Sequence, residues 1–446
     1  MLIPAKKVVL CPLLLLTYLV QFSTSQYVNT HVQRTLNLTS HCFSTVDITF
    51  RSTASSANEP YLIAFPKKMY EKLAFINISL NGSPSLVQES KATRPDGYQV
   101  LAVPVNNIFS GKDQQEATVR IETIFTDVYE YLPTKIRQDE NQMVVYSGSR
   151  VFASPYFTEK QKTTFSLASH HIEKVSEDES LVINGNNVTF GPYANVKAYA
   201  SDSDIIGVNF LGETLLENED GAPTTTPLRL HFENNFPFIF SKVLHTSINI
   251  FSDNRVSIST FADIKNNGAN LDGGFSRLDH QMRRQDYIGP SFQQIRFNLL
   301  KSYHNVRCED SIGNLTNAYV DHNDSSLKLG LRYPMFGGWT SDFFVQYDMT
   351  SVAELANSLT GSGGKKFLRF NLLPPIVGGT IERLDYTITF QNGFRGSNFK
   401  LMEGAFVDIE KSYFDSNNHV VLKLKNKKQV FGVVNEKQRH VDIFYD

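Results

Sequence analysis

The chain has 446 residues, 41% of them hydrophobic and 20% charged, with 43 Lys and Arg against 45 Asp and Glu. These proportions exclude a fibrous or wholly disordered chain, and a formal net charge of −2 leaves no positive excess for a nucleic-acid-binding face. At about 150 residues per domain the length accommodates two large domains or three smaller ones.

The first 25 residues read as an address. Lys6 and Lys7 precede an apolar run from Val8 to Phe22. As a helix this run would span about 22 Å, short of the roughly 30 Å hydrocarbon core of a membrane. Ser23 and Ser25 then supply small residues where a signal peptidase needs them. The pattern predicts a secretory signal peptide over residues 1–25, cleaved before Gln26. An uncleaved signal anchor is the alternative, and it too leaves the rest of the chain translocated. No later stretch is long and apolar enough to predict a second membrane helix. Sequons fit a translocated chain: Asn37, Asn77, Asn81, Asn187, Asn314 and Asn323 each open Asn-x-Ser/Thr, with Pro84 directly after the Asn81 sequon weakening it.

Beyond the signal, strand patterns dominate. Period-2 alternation runs through Val46–Phe50, Ala117–Phe125, Leu228–Phe232, Ser247–Phe251, Arg255–Phe261, Leu327–Tyr333, Tyr386–Phe390 and His419–Leu424. With 33 Phe and 19 Tyr the composition also suits pleated, half-buried surfaces. Asp253-Asn254 predicts a hairpin turn between two of these runs. Helical signals are few. Ser351–Leu359 carries a capping box through Ser351 and Glu354, and Phe292–Tyr303 is a weaker helix candidate. The polar segment Glu217–Pro227 predicts a loop. A division near it gives residues 26–238 and 239–446, both opening on paired alternating strands, as a duplicated domain would. The expected fold is mainly β: two tandem antiparallel β-sandwich or saddle-like domains with few short helices.

No catalytic constellation is visible. HExxH, Gly-x-Ser-x-Gly, a P-loop and a strand-borne GxGxxG are all missing from the sequence. His170 and His171 are adjacent, so on a strand they point to opposite faces. Asp202-Ser-Asp204 could hold a divalent ion, but a solvated acidic loop is the simpler reading, since the alternating strands and helices of a nucleotide-sugar transferase are missing. Trp339, the sole tryptophan, suits either a sugar-stacking surface or a packed corner after Gly337-Gly338. Cys42 and Cys308 fall one in each half. They can pair in an oxidising compartment or stay as buried free thiols. No enzyme activity, metal or cofactor is expected.

Three blocks carry a resemblance. They are Leu228–Phe238 (LRLHFENNFPF), Gly273–Asp279 (GGFSRLD), and Glu309–Thr316 (EDSIGNLT) followed by Arg332–Trp339 (RYPMFGGW). Gly191-Pro-Tyr193 adds a weaker element. In content and order they resemble the ribophorin I family, a non-catalytic subunit of the eukaryotic oligosaccharyltransferase. The resemblance implies two luminal β-rich domains akin to the N-terminal β-domain of M1 aminopeptidases, over 26–238 and 239–446. It implies residence at the endoplasmic reticulum lumen and membrane association through the complex. The implied partners are catalytic and accessory oligosaccharyltransferase subunits and nascent polypeptide. The implied role is structural, organising the luminal face and guiding acceptor chains, while glycan transfer belongs to a partner with a WWDYG motif. Asn314 matches a position where the family also shows a sequon. The family's transmembrane helix would follow the second luminal domain, at about Asp446. The alternative reading is a soluble secreted carbohydrate- or protein-binding module without that anchor.

Overall fold

The computed structural model describes residues 26–53, 59–85, 88–90, 97–105, 109, 116–200, 228–251, 255–282, 289–300, 302–350, 366–371, 375–390, 396–401, 407–414, 420–426, 430–431 and 440–445. Among them the protein is mainly β, with two short helices, Lys67–Glu71 and Arg277–Met282. No helix of the described residues is long and apolar enough to cross a membrane.

Two large sheets organise the chain, and they repeat one topology. In the first, Tyr27–Leu38 pairs antiparallel with Cys42–Ser52 on one side and parallel with Thr158–Leu167 on the other. Cys42–Ser52 continues to Glu116–Phe125 and then Leu73–Leu80, while Thr158–Leu167 continues to Asn187–Val196 and then Val182–Asn184. In the second, Ile239–Ile250 pairs antiparallel with Val256–Asn266 and parallel with Thr380–Phe390. Val256–Asn266 continues to Thr340–Met349 and then Tyr303–Asp310, while Thr380–Phe390 continues to Val420–Asn426 and then Val407–Phe414. Strand order and sense match at every step. The smaller sheets match as well: Tyr61–Pro66, Tyr98–Val103 and Gln88–Glu89 correspond to Phe292–Asn298, Ser326–Met335 and Ala318–Asp321.

Alternation explains why these segments are strands. Along Tyr27–Leu38 the side chains of Val32, Leu36 and Leu38 are buried while Gln33, Thr35 and Asn37 face out. Val46, Ile48 and Phe50 do the same on the next strand, and Ala117, Val119 and Ile121 on the one after. In each repeat a small sheet covers the apolar face of the large one. Phe50 meets Tyr61 with ring centroids 4.3 Å apart, and Phe297 meets Phe343 at 6.3 Å. One apolar cluster gathers residues from Tyr27 to Phe238 and a second gathers residues from Leu244 to Ile388. Burial of this kind is the main stabilising term, at about 25 cal/mol per Å² of apolar surface.

Every alternating run named above coincides with an observed strand, give or take terminal residues. The Ser247–Phe251 and Arg255–Phe261 runs form the expected hairpin, closed by Phe251 N–H donating to the Arg255 carbonyl at 2.9 Å, although the turn residues Asp253-Asn254 lie outside the described residues. So do the signal peptide, the Glu217–Pro227 loop and the Ser351–Leu359 helix. The Phe292–Tyr303 helix is overturned. Phe292–Asn298 is a strand antiparallel to Ser326–Met335, and Tyr303 opens another strand. A bulge between Phe292 and Gln294 puts Phe292, Ile295 and Phe297 all inward. The extra residue turns a two-residue period into a three-residue step, which imitates a helical face.

The first hairpin places His41 beside its turn, where the Tyr129 hydroxyl donates to the His41 carbonyl at 3.3 Å. Burial lowers the His41 imidazole to about 4. The unfolded chain takes up a proton near pH 6.5 while the folded chain does not, so folding stability falls as pH drops from about 6.5 towards 4 and levels off below. The loss from this group is at most about 3 kcal/mol. Urea titrations of wild type and His41→Asn at pH 7 and pH 4.5 check this: the variant should lose less stability on acidification.

Candidate functional site at the joint between the repeats

Three buried carboxamides lie where the two repeats meet, and one of them bonds to both. Gln142, Asn234 and Asn266 are each 0% exposed. A buried amide is costly unless both its donor and its acceptor find partners. Here they do. Gln142 Nε2 donates to the Asn234 carbonyl at 2.8 Å, and Gln142 Oε1 accepts from Ala269 N–H at 2.8 Å, so one side chain grips both halves. Asn266 Nδ2 donates to the Pro290 and Met335 carbonyls at 2.7 and 2.9 Å, and its Oδ1 accepts from Gly268 N–H at 3.0 Å. Asn234 Nδ2 reaches the Thr39 carbonyl at 2.8 Å and so holds the first hairpin turn against the joint. Asn235 Oδ1 accepts from Gln142 N–H at 2.8 Å.

The backbone adds a second seam. Lys135–Ile136 and Asn270–Leu271 pair parallel across the joint. Asn270 N–H donates to the Thr134 carbonyl, Asp272 N–H to the Ile136 carbonyl and Asn267 N–H to the Phe238 carbonyl, at 2.9, 2.7 and 2.8 Å.

The Arg332–Trp339 block sits directly on this seam. Gly337 packs so tightly that a Cβ there would overlap the Ala269 carbonyl, and Gly338 has φ +84°. Glycine at both positions lets the chain turn against residues 266–271, where Gly338 N–H donates to the Asn266 carbonyl at 2.8 Å and the Gly337 carbonyl accepts from Leu271 N–H at 3.0 Å. The turn delivers Trp339 into an aromatic cluster. Its ring lies 5.5 Å from Phe336, 5.7 Å from Phe275 and 5.9 Å from Tyr333, all edge-on. His280 of the Arg277–Met282 helix closes the cluster against Phe275 and Phe336, 5.8 Å from each. At the other end of the block, the Arg332 guanidinium forks onto Asp310 and donates to the Gly313 carbonyl at 2.9 Å. Asp310 also accepts from the N–H groups of Ile312 and Gly313 at 2.9 Å. The Arg332 hydrogen bond holds the Asp310 carboxyl below the usual carboxylate range. Glu309–Thr316, Arg332–Trp339, Gly273–Asp279 and Leu228–Phe238 therefore form one connected assembly around the joint.

Other predicted residues lie elsewhere. Cys42 is in the first apolar cluster and Cys308 in the second, and both are free thiols. Burial pushes Cys42 up to about 12 and Cys308 to about 11, which keeps both protonated and unreactive. Asn37, Asn187, Asn314 and Asn323 are exposed. Asn77 is half-buried and donates through Nδ2 to Glu122 at 2.9 Å, and Asn81 accepts from Thr118 N–H at 2.8 Å. His171 Nδ1 is 2.9 Å from Glu233 Oε2, away from His170. Among the described residues no group of three His, Cys, Asp or Glu could hold a metal ion. Asp202 and Asp204 lie outside them. Gln142 and Asn266 carry no motif of their own; only their burial between repeats reveals them.

A family model described as Ribophorin I matches residues 27–446. Curated relatives include subunit 1A of a dolichyl-diphosphooligosaccharide–protein glycosyltransferase from Arabidopsis thaliana, 24% identical over 94% of this chain and 66% of that protein. Subunit 1 from Caenorhabditis elegans is 27% identical over 92% of this chain and 66% of its own length. The chain thus spans just under two thirds of either relative. Among solved structures, leukotriene A4 hydrolase from Saccharomyces cerevisiae overlaps 39% of this chain and 28% of its own, at 14% identity and a TM-score of 0.28, too low to establish a shared fold.

The joint makes a sharp demand on Gly337. Gly337→Ala forces a side chain onto backbone and should lower stability by about 3 kcal/mol. Gly273→Ala, at φ +78° with open space around it, should cost only about 1 kcal/mol. Thermal melts of the two variants check the contrast.

Proposed function

The chain belongs to the ribophorin I family, and we propose that it serves as a non-catalytic subunit of an oligosaccharyltransferase complex at the lumen of the endoplasmic reticulum. Its task is to organise the luminal face and to guide nascent acceptor polypeptide to the catalytic subunit. The observation that carries this reading is the family match across residues 27–446. The joint is consistent with it: the sequence blocks that carry the resemblance gather around the contact between two β repeats, as a rigid scaffold would have them. We propose the repeats as two domains, 26–238 and 239–446, each with its own apolar cluster.

Within this reading the exposed Asn37, Asn187, Asn314 and Asn323 are the proposed glycan acceptors. Each stands at the surface, where an attached glycan meets no packed neighbour. Endoglycosidase treatment of the secretory-pathway protein should lower its mass, and replacing these four asparagines by glutamine should abolish most of that shift.

The subunit reading is tested by extracting microsomes in gentle detergent with this chain tagged. The WWDYG-bearing catalytic subunit and glycan-transfer activity should co-purify with it. Recovery of the tagged chain alone, free of other subunits, would sink the proposal and favour a secreted binding module.

A further inference from the structure

The outer faces of the two large sheets diverge although their topology agrees. Count along each central pair from the hairpin ends, Leu38–Cys42 in one repeat and Ile250–Val256 in the other. Thr49 stands opposite Thr118 in the first repeat where Asp263 stands opposite Asp342 in the second. Asp47 faces Arg120 where Phe261 faces Phe344, and Arg51 faces Glu116 where Lys265 faces Thr340. The first repeat thus has complementary cross-strand pairs, one of them an Asp47–Arg120 ion pair of 3.7 Å. The second repeat opposes two carboxylates and exposes rings. Like charges directly opposite each other destabilise a sheet.

This face is hollowed into a groove of about 640 Å³, within the range of small-ligand sites. Phe240, Phe261 and Tyr333 supply its aromatic wall, and Phe261 and Tyr333 are 38% and 36% exposed. Lys242, Lys265, Asp263 and Asp342 supply its charges. Among the described residues these four side chains form no ion pair or hydrogen bond, with each other or with anything else. Two positive and two negative groups cancel, so the groove does not select a charged ligand. It offers a peptide strand little to pair with. Ile239–Ile250 and Val256–Asn266 are each paired on both sides, and Thr340–Met349 lacks a second ladder partner only over residues 340–343, too short an edge to seat a strand. Recognition comes chiefly from carboxylates, ammoniums and ring faces.

We propose that this groove binds a neutral oligosaccharide. Its hydroxyls donate to Asp263 and Asp342 and accept from Lys242 and Lys265, and its apolar ring faces lie on Phe261 and Tyr333. The inference rests on the chemistry of the groove and does not need the subunit reading.

The chain carries its own reporter. Trp339 is the sole tryptophan, and its ring lies 5.9 Å from that of Tyr333 at the groove. The full chain is titrated with chitotriose and with a neutral oligomannose glycan released from glycoprotein, reading tryptophan fluorescence. A saturable change with either glycan is expected. Phe261→Ala, and separately Asp263→Asn with Asp342→Asn, should weaken it at least about tenfold. The double asparagine variant should melt no lower than wild type, because it relieves the opposed charges. No change with either glycan at tens of millimolar overturns the proposal, as does unaltered binding by both variants. Groove-dependent binding of a reduced, carboxymethylated polypeptide in place of glycan overturns it in favour of a peptide site. Variants that lose glycan binding yet still co-purify with the catalytic subunit separate this proposal from the subunit reading.

Discussion

The architecture depends on three carboxamides that have no access to water. Gln142, Asn234 and Asn266 are buried at the joint, and each has its donor and acceptor bonded to backbone: Gln142 to both repeats, Asn234 within the first and Asn266 within the second. Apolar contacts would tolerate sliding; a carboxamide with both ends bonded does not, because a shift of an ångström or so leaves several buried groups unpaired at once. Gln142 and the backbone seam at residues 134–136 and 270–272 tie the repeats together, and Asn234 and Asn266 brace the segments on either side. The Gly337-Gly338 turn and the Trp339 cluster follow, since both are built on residues 266–275 that this network immobilises.

Two sheets of the same strand order need not share residues. Each position along a strand is constrained chiefly by which face it occupies. Inward positions accept any residue of suitable volume, so Val46, Ile48 and Phe50 serve in one repeat where Thr260, Ala262 and Ile264 serve in the other. Outward positions are freer still. That freedom lets the second repeat expose rings and opposed carboxylates where the first keeps ordinary complementary pairs. The shared topology constrains the inward faces, and the outward faces it leaves unconstrained are free to diverge.

The β character was legible in the sequence because period-2 alternation is a local signal, and the runs at Ala117–Phe125 and Arg255–Phe261 needed nothing distant to be read. Duplication was visible only as a similar opening of the two halves, since the matching strand order lives in pairings between residues far apart. The bulged strand at Phe292 misled, because an inserted residue mimics helical spacing. Of the joint, the blocks around Asn234, Phe275 and Trp339 stood out by resemblance. Their convergence did not, and Gln142 was silent, since a lone glutamine in a polar stretch carries no local mark of burial. The groove was half legible. Trp339 drew attention to aromatic stacking, but the exposed rings beside the carboxylates are Phe261 and Tyr333, and only the cross-strand register brings Asp263 opposite Asp342.

The parallel pairing of Tyr27–Leu38 with Thr158–Leu167 has a consequence for biosynthesis. The first hairpin can form as soon as it is made, but its outer edge has no partner until more than a hundred further residues are synthesised. At about 5–20 residues per second the unpaired edge is exposed for roughly 5 to 20 seconds. The same delay recurs when Ile239–Ile250 waits for Thr380–Phe390. Each repeat therefore passes through a stage with a bare, adhesive strand edge. The order of synthesis allows the first repeat to close before the second has reached that stage, which keeps two such edges of nearly the same shape from finding each other.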